Sequence, residues 1–445
     1  MIPSLLRAPL RFRRIPVPTA PVLYCRSPAC QPVNNERPFT PSRRFKQTQS
    51  GGPPTYLGKH KITARIDGEY MKLSYIRLRD YCKCPLCVDM HSKQRNFRIS
   101  DIPPDIKVKS FKWDGDILEV AWENDVPGFD SSHVSRYHSI HQLKYPLQTQ
   151  SDSSPTGRLR SRDLWGKKHM EDAQHWISYE DYMNNDAKFI SAMHSLAKLG
   201  LIFLKDIPDS REMVEKIATR IGPLRNTFYG PTWDVRQVPQ AKNVAYTSQF
   251  LGFHMDLLYM NEPPAFQLLH CIRNSCDGGE SLFTDAFHVA NHMRRFEQTN
   301  FNTLKTTNLR YEYLHKENSY NMIRPVFEEG FSAGRRGLQL AYVNYSPPFH
   351  GPQSTEDGTS SESYTRQCRE IRALKSFADH LESDENMFQL KLKPGECVIF
   401  ENRRVVHARR QFDTSSGERW LAGAYLDDDV VRSRFKVSGL GSGSC

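Results

Sequence analysis

The sequence predicts an α+β protein that is mainly β, in which a small N-terminal β domain precedes a larger β domain with flanking helices. Three observations lead to this prediction. Short runs of alternating apolar residues fill residues 60–147, and strand-like runs return from about residue 240 onward. Between these regions, residues 178–222 carry apolar residues at helical spacing, with Ser178, Gly200 and Gly222 where a helix can begin or end.

Length and charge narrow the class of protein. The 445 residues are enough for two or three domains with sizeable cores, and no apolar run reaches the roughly 18 residues that predict a membrane-spanning helix. The net charge is +11, but residues 1–50 hold nine basic residues against the single acid Glu36, which leaves +3 for residues 51–445. The chain after residue 50 is therefore nearly balanced, which argues against a nucleic-acid-binding protein.

Residues 1–50 have the composition of a targeting segment. The stretch MIPSLLRAPLRFRRIPVP is rich in Arg, and no acid occurs before Glu36, as is typical of a mitochondrial transit peptide. The alternative is a disordered basic tail. The sequence thus predicts a protein of the mitochondrial matrix, with the cytoplasm as the alternative location.

A metal-binding pattern occurs in the predicted N-terminal domain, residues 55–147. Cys82, Cys84 and Cys87 form C-x-C-x2-C, a spacing at which thiolates can surround one tetrahedral Zn²⁺ that needs a fourth ligand. We predict His133 as that ligand, with His91 as the local competitor. The site would be structural, since nothing indicates an open coordination position; the alternative is three reduced thiols in a loop.

The boundary between the two predicted domains is marked by composition. Residues 148–171 are rich in Ser, Arg and Lys and predict a linker, so that the larger domain spans residues 172–440. Within it, the run LIFLKDI predicts a buried strand, and LKPGECVIFENRRVVHARRQF predicts a turn, a buried strand, a second turn and a further strand that His407 enters.

A second group of metal ligands is predicted in the larger domain. His254 and Asp256 are two residues apart, so in a strand both side chains point to one face. With His407 they would complete the two-histidine, one-carboxylate set that holds Fe(II) and leaves positions open for substrates. An H-x-D pair alone also arises by chance at solvated strand edges. Arg419, twelve residues after His407, is suited to bind a carboxylate with its planar fork.

Longer segments resemble one enzyme family. Residues 225–287, which begin RNTFYGPTW and include NVAYT and GFHMDLLYM, resemble the gamma-butyrobetaine dioxygenase and trimethyllysine dioxygenase family, as do LKPGECVIFENRRVVHARR and GAYLDDDVVRSR. The resemblance covers roughly residues 60–435 and extends to that family's N-terminal zinc domain. It implies a double-stranded β-helix, or jelly-roll, catalytic domain that uses Fe(II), 2-oxoglutarate and O₂, with ascorbate as reductant.

The resemblance also implies roles for individual residues. His254, Asp256 and His407 match the iron ligands, and Arg419 matches the residue that binds 2-oxoglutarate. The aromatic cage for a trimethylammonium group is matched by four residues: Tyr229, Trp233, Tyr246 and Tyr425. Asn243 and Asn344 match positions that bind the substrate carboxylate, although Pro347 and Pro348 depart from the polar residues common after the family's second asparagine.

Aromatic cages suit a quaternary ammonium, because such a cation cannot donate a hydrogen bond and is best held by the negative faces of rings. The predicted function is hydroxylation of gamma-butyrobetaine to carnitine. The alternatives are hydroxylation of trimethyllysine or of another quaternary amine and, more remotely, a catalytically inactive zinc and jelly-roll scaffold that binds partners. Analogy with the family further suggests a homodimer.

Overall fold

The computed structural model describes residues 55–66, 69–113, 117–138, 162–236, 248–331, 338–352 and 360–440. The chain divides into two compact units, Met1–His138 and Ser139–Cys445. The proposed targeting segment, most of the proposed linker, Asn243 and Tyr246 lie outside the described residues. Within the described ranges, no helix is both long enough and apolar enough to span a membrane.

The N-terminal unit consists of two small antiparallel sheets and a short helix. The first sheet contains β1 (Thr55–Leu57), β2 (Lys61–Ile66) and β3 (Glu69–Ser74), and the second contains β4 (Lys107–Trp113), β5 (Leu118–Asn124) and β6 (Val134–Tyr137). Helix α1 (Tyr75–Asp80) follows β3, and the segment that carries the three cysteines follows α1. The predicted hairpin strands are thus confirmed.

The C-terminal unit contains eight described α-helices, and capping residues mark the ends of two of the early ones. Its described helices are α2 (Lys167–Ala173), α3 (Tyr179–Asn184), α4 (Asp186–Leu199), α5 (Met213–Ile221), α6 (Ala286–Phe296), α7 (Gln298–Thr306), α8 (Ser361–Leu381) and α9 (Asp428–Phe435). Ser178 caps α3, and a break at Asn185 separates it from α4, because the Asn185 side chain accepts a hydrogen bond from the Lys188 amide. Gly200 ends α4 with φ of 71°, a conformation that favours glycine.

Two sheets form the centre of this unit. One has the order β10-β19-β12-β17 and the other β7-β8-β18-β11-β20-β9. Their strands are β7 (Trp176–Ser178), β8 (Leu201–Lys205), β9 (Thr232–Arg236), β10 (Leu251–His254), β11 (Phe266–Asn274), β12 (Ser281–Asp285), β17 (Phe388–Leu390), β18 (Cys397–Glu401), β19 (Val405–Arg409) and β20 (Arg419–Leu426). Two further hairpins pair β13 (Asn308–Leu314) with β14 (Ser319–Pro325) and β15 (Phe327–Phe331) with β16 (Leu338–Val343).

The two central sheets face each other across an apolar core. Phe283 of β12 contacts Phe203 of β8 and Phe400 of β18, with ring centroids 6.4 and 5.7 Å apart. On β8, Leu201 and Phe203 enter this core, whereas Ile202 and Leu204 join a second apolar cluster with α4 and α5. Burial on both faces explains why LIFL is a continuous apolar run. The mixed, mainly β prediction is confirmed.

The predicted linker requires a correction. We expected residues 148–171 to be a linker, but α2 begins at Lys167 and Trp165 is fully buried. The indole Nε1 of Trp165 donates to the Leu199 carbonyl at 2.7 Å. Since that packing belongs to the C-terminal unit, its fold begins before residue 172.

Candidate active site

Two neighbouring strands bring His254 and His407 together. β10 and β19 are antiparallel, and His254 lies directly opposite His407 in their register. The two imidazole centroids are 4.1 Å apart. Burial, and then the neighbouring His254, lower the pKa of His407 well below its usual value. A neutral imidazole is the form that binds metals.

Asp256 joins the pair from just beyond the strand. We expected His254 and Asp256 to share one strand face, but β10 ends at His254. The Asn402 side chain accepts from the Asp256 amide at 2.9 Å and donates to its carbonyl at 3.0 Å, and Leu257 has φ of 59°. This turn, rather than strand alternation, directs the carboxylate towards the histidines, and the three ligand atoms lie within 4.8 Å of one another.

In both His254 and Asp256, one side-chain atom makes a hydrogen bond and the other remains available to bind a metal. His254 Nδ1 bonds to the Gly252 carbonyl at 2.9 Å, and the Tyr425 hydroxyl donates to Asp256 Oδ2 at 2.8 Å. The remaining atoms, His254 Nε2 and Asp256 Oδ1, are 3.6 Å apart. One ion can bridge them, since bonds from a metal to nitrogen or oxygen are about 2.0–2.2 Å. Such support of ligands by outer hydrogen bonds is usual around metals.

The three side chains line an open cavity that is also lined by two arginines, Arg409 and Arg419. Burial lowers the pKa of Arg419 to about 10, so its guanidinium is charged at neutral pH. Within the described residues, its buried Nε atom donates no hydrogen bond. A buried cation with an unused donor fits a carboxylate ligand, and the adjacent donor set of two histidines and an aspartate fits Fe(II).

Trp233 lines the cavity, and Tyr425 packs against its ring. Their ring centroids are 5.0 Å apart, and Trp233 lines the same cavity as the three potential metal ligands. Gly423 stands opposite Trp233 in the β9–β20 register. A Cβ atom on Gly423 would lie 2.3 Å from the indole, so only glycine lets the ring lie this close to β20.

Tyr229 belongs to a second group of aromatic rings. It contacts Phe228 with centroids 4.1 Å apart and Tyr313 at 6.3 Å, while Tyr259 stacks on Tyr313 at 5.3 Å. Tyr229, Trp233 and Tyr425 are the described members of the cage that the family resemblance implies. Asn243 and Tyr246 lie outside the described residues.

Asn344 has other partners. Its fully buried side chain donates to the Pro325 carbonyl at 2.7 Å and accepts from Arg403 at 2.7 Å, and Arg403 also binds Glu328 at 2.7 Å. Asn344 is not among the residues that line the cavity. In this arrangement its amide joins the end of β14 to Arg403 in the turn between β18 and β19, and contact with a substrate carboxylate would require this network to open.

The N-terminal unit contains a separate four-residue cluster. The Sγ atoms of Cys82, Cys84 and Cys87 lie 3.6, 3.4 and 3.4 Å from His133 Nε2. Tetrahedral Zn²⁺ bonds of about 2.3 Å to sulfur and 2.0–2.1 Å to nitrogen would separate these atoms by roughly 3.5 Å. His91 is exposed, outside this cluster. The geometry therefore selects His133 as the candidate fourth ligand.

A buried carboxylate orients the cluster. Asp125 Oδ2 lies 2.5 Å from His133 Nδ1, and its other oxygen accepts from Arg79. Arg79 also donates to Cys87 Sγ at 3.2 Å and stacks on Phe97 and Phe129 at 4.4 and 4.5 Å. Asp125 thereby holds the imidazole with Nε2 facing the thiols, as carboxylates commonly do for metal-binding histidines.

Some residues of both sites were missed by the sequence analysis. Arg409 follows His407 by two residues on β19, so the same strand-face argument used for His254 and Asp256 would have found it. Asp125 offered no such signal, because strand spacing does not predict its contacts with Arg79 and His133.

Comparisons with known proteins agree with these sites. Residues 165–425 match the family described as taurine catabolism dioxygenase TauD, TfdA family, and residues 64–137 match the gamma-butyrobetaine hydroxylase-like N-terminal family. "Dioxygenase str8" of Strobilurus tenacellus is 30% identical, over 93% of this chain and 99% of that protein. The gamma-butyrobetaine dioxygenase of Homo sapiens is 28% identical (81% and 89% covered), and the mitochondrial trimethyllysine dioxygenase of Homo sapiens is 26% identical (83% of each).

Proposed function

This chain belongs to the TauD, TfdA family of dioxygenases, and from that premise we propose that it hydroxylates gamma-butyrobetaine to carnitine. The family implies Fe(II), 2-oxoglutarate and O₂, which together supply the oxidising chemistry: one oxygen atom goes to the substrate C–H bond and the other to succinate, with release of CO₂. The observation that supports the proposal is that His254, Asp256 and His407 share one cavity with Arg419 and Trp233.

The chain's own residues position the reactants. His254, Asp256 and His407, which line the cavity, would hold the iron beside it. Arg419 would bind the distal carboxylate of 2-oxoglutarate, since its guanidinium is charged, buried and unused at Nε. Tyr425 orients Asp256 through its hydroxyl group, so the carboxylate keeps Oδ1 directed at the metal position.

The aromatic rings support the proposed substrate class. Trp233 presents aromatic surface to the cavity, Tyr425 packs against that ring and donates a hydrogen bond to Asp256, and the described part of the cavity has no acid other than Asp256. A trimethylammonium group would therefore be held by ring faces, each of which contributes roughly 0.5–2 kcal/mol when well placed. A permanently cationic group needs no hydrogen-bond acceptor, so ring faces are sufficient to hold it.

Trimethyllysine is the second candidate substrate. Relatives named for each of the two activities resemble this chain to a similar degree. The two substrates share the quaternary ammonium but differ at the other end, where trimethyllysine adds an α-ammonium group to the carboxylate. We favour gamma-butyrobetaine because Asn243 matches the family's ligand for a simple carboxylate.

The test is turnover of both substrates by the full-length protein. The protein would be purified anaerobically and supplied with Fe(II), ascorbate, 2-oxoglutarate and O₂, and then with gamma-butyrobetaine or trimethyllysine in parallel. Succinate release and a product heavier by one oxygen atom would be measured by mass spectrometry. We expect hydroxylation of gamma-butyrobetaine; hydroxylation of trimethyllysine alone would transfer the assignment to the second candidate.

A neutral isostere sharpens this test. In 5,5-dimethylhexanoate a carbon atom replaces the quaternary nitrogen of gamma-butyrobetaine, so the shape is retained and the charge is lost. We expect the isostere to be hydroxylated with a KM at least several-fold higher. Equal KM values would refute cation–π recognition. Consumption of 2-oxoglutarate with no hydroxylated product would support the assignment of the iron site but refute gamma-butyrobetaine as the substrate.

The remaining parts of the proposal concern the rest of the chain. We propose that the Cys₃His cluster holds a structural Zn²⁺, that ascorbate maintains the iron in its reduced form, and that residues 1–50 direct the protein to mitochondria. A relative is named as mitochondrial, which supports the last point. A homodimer remains a prediction. The presence of the complete candidate triad and Arg419 disfavours the inactive scaffold.

A further inference from the structure

A third group of potential metal ligands lies among the helices of the C-terminal unit, outside the cavity. His292 is near the end of α6, Glu297 follows at the junction of α6 and α7, and His380 is near the end of α8. One ligand atom from each lies within 4.8 Å of the other two. The imidazole centroids of His292 and His380 are 4.9 Å apart. Three elements thus direct nitrogen and oxygen donors to one place.

Neighbouring side chains hold the carboxylate of Glu297 by one oxygen, so that its other oxygen faces the histidines. Oε2 accepts from Ser376 Oγ at 2.5 Å and from Asn300 Nδ2 at 2.7 Å. Oε1 lies 2.5 Å from His380 Nε2. Burial raises the pKa of Glu297, but the hydrogen bonds from Ser376, His380 and Asn300 outweigh it and lower the pKa to about 2. Glu297 is therefore an oriented, ionised ligand rather than a mobile surface acid.

We propose that His292, Glu297 and His380 form a binding site for Zn²⁺ or a similar divalent transition ion. Two imidazoles and one carboxylate are a donor set that zinc accepts, with water in the remaining position. The hydrogen bonds to Oε2 correspond to the outer contacts that orient carboxylate ligands in metal sites. The ion would replace the direct contact between His380 Nε2 and Glu297 Oε1 and bind both atoms.

A simple ion pair is the competing explanation. His380 and Glu297 alone would hold α8 to the α6–α7 junction without any metal. That explanation gives no role to His292, whose exposed ring contacts only Phe296 and His380 among the ring contacts of the described residues. A metal, in contrast, needs His292 as its third ligand. Replacing His292 therefore separates the two explanations. Because the His292 side chain is exposed, we expect the variant to keep its fold.

The experiment counts bound Zn²⁺ in the full-length protein. Full-length Asp256→Ala, which weakens the competing cavity site, and Asp256→Ala/His292→Ala would be equilibrated with micromolar Zn²⁺ and analysed by equilibrium dialysis and elemental analysis. Residual binding at the cavity and at the Cys₃His cluster is common to both proteins and cancels in the difference. We expect the double variant to bind one fewer Zn²⁺ per chain.

A matched control is His169→Ala in the same Asp256→Ala background. His169 is a half-exposed histidine that also pairs with a carboxylate, Asp163, at 3.3 Å, but it belongs to no three-ligand group in the described residues. Its replacement should leave the stoichiometry unchanged. Equal Zn²⁺ content with and without His292 would overturn the proposal. Crystallographic anomalous scattering at the zinc edge provides a second test: a peak bonded to all three side chains supports the site, and no peak among them rejects it.

Discussion

The Cys₃His cluster of the N-terminal unit and the His₂Asp group of the C-terminal unit solve different problems with similar ligands. The first supplies four donors, three of them thiols, and its outer support comes from Asp125 and Arg79. The second supplies three donors and borders an open cavity that contains Arg419. Four ligands would complete a tetrahedral zinc site, whereas three ligands would leave three positions of an octahedral Fe(II) open for substrates.

The surroundings of the two sites enforce this difference. The polypeptide that carries Cys82, Cys84 and Cys87 is short and has little regular structure, so a bound metal would contribute much of its folding energy. His254 and His407 instead lie on paired strands beside a large apolar core. We therefore expect the scaffold of the second site to fold without a metal.

Loss of a ligand at the open site should produce the largest effect on activity. In Asp256→Ala, iron binding and 2-oxoglutarate-dependent succinate release should fall to background, because two histidines remain and Tyr425 loses its acceptor. The melting temperature of the C-terminal unit should change little. Turnover and thermal unfolding would be measured together, with Asp209→Ala as a matched control that alters an exposed carboxylate, 67% accessible, of the same unit.

Activity near that of the parent protein in Asp256→Ala would remove Asp256 from the ligand set. A protein that unfolds would instead show that the open site, too, supports its scaffold, and the contrast between the two sites would fail.

Loss of a ligand at the closed site should affect folding first. In Cys84→Ser, we expect the Zn²⁺ content to fall by about one ion per chain and the N-terminal unit to become sensitive to proteolysis, because structural zinc contributes folding free energy directly. Cys368→Ser is the control, since Cys368 is a free cysteine on α8. Unchanged zinc content in Cys84→Ser would contradict the assignment, and protection from proteolysis despite zinc loss would make the metal dispensable for the fold.

The smallest effect is expected on the substrate side of the open site. Trp233→Ala should raise the Kd of the quaternary ammonium substrate about 2-fold to 30-fold, which corresponds to roughly 0.5–2 kcal/mol of cation–π attraction. The Kd of 2-oxoglutarate should remain unchanged, because Arg419 and the metal ligands are intact. Trp233→Phe keeps a ring and should recover part of the loss. Equal weakening of both ligands would mean that Trp233 shapes the cavity rather than recognising the cation.

Much of the fold could be predicted from local patterns. The β8 strand, the α4 and α5 helices and the β18–β19 region followed from apolar periodicity and from glycines at helix ends. The linker was predicted too long because Trp165 lies in a polar stretch, and its burial depends on partners such as Leu199 that are distant in sequence. Asn344 similarly carried no local sign of the Arg403 and Glu328 network around it.

By itself, the sequence determined which chemical groups were available and most of the elements that carry them. The C-x-C-x2-C thiols, the H-x-D pair, His407 and Arg419 were all recognisable from spacing or family resemblance. The tertiary structure decided which groups meet: His133 rather than His91 at the thiols, Asp256 through a turn rather than a strand, and His380 beside Glu297. The physical reason is that periodicity is a local property, whereas a binding site is closed by strand register and helix packing between residues far apart in the chain.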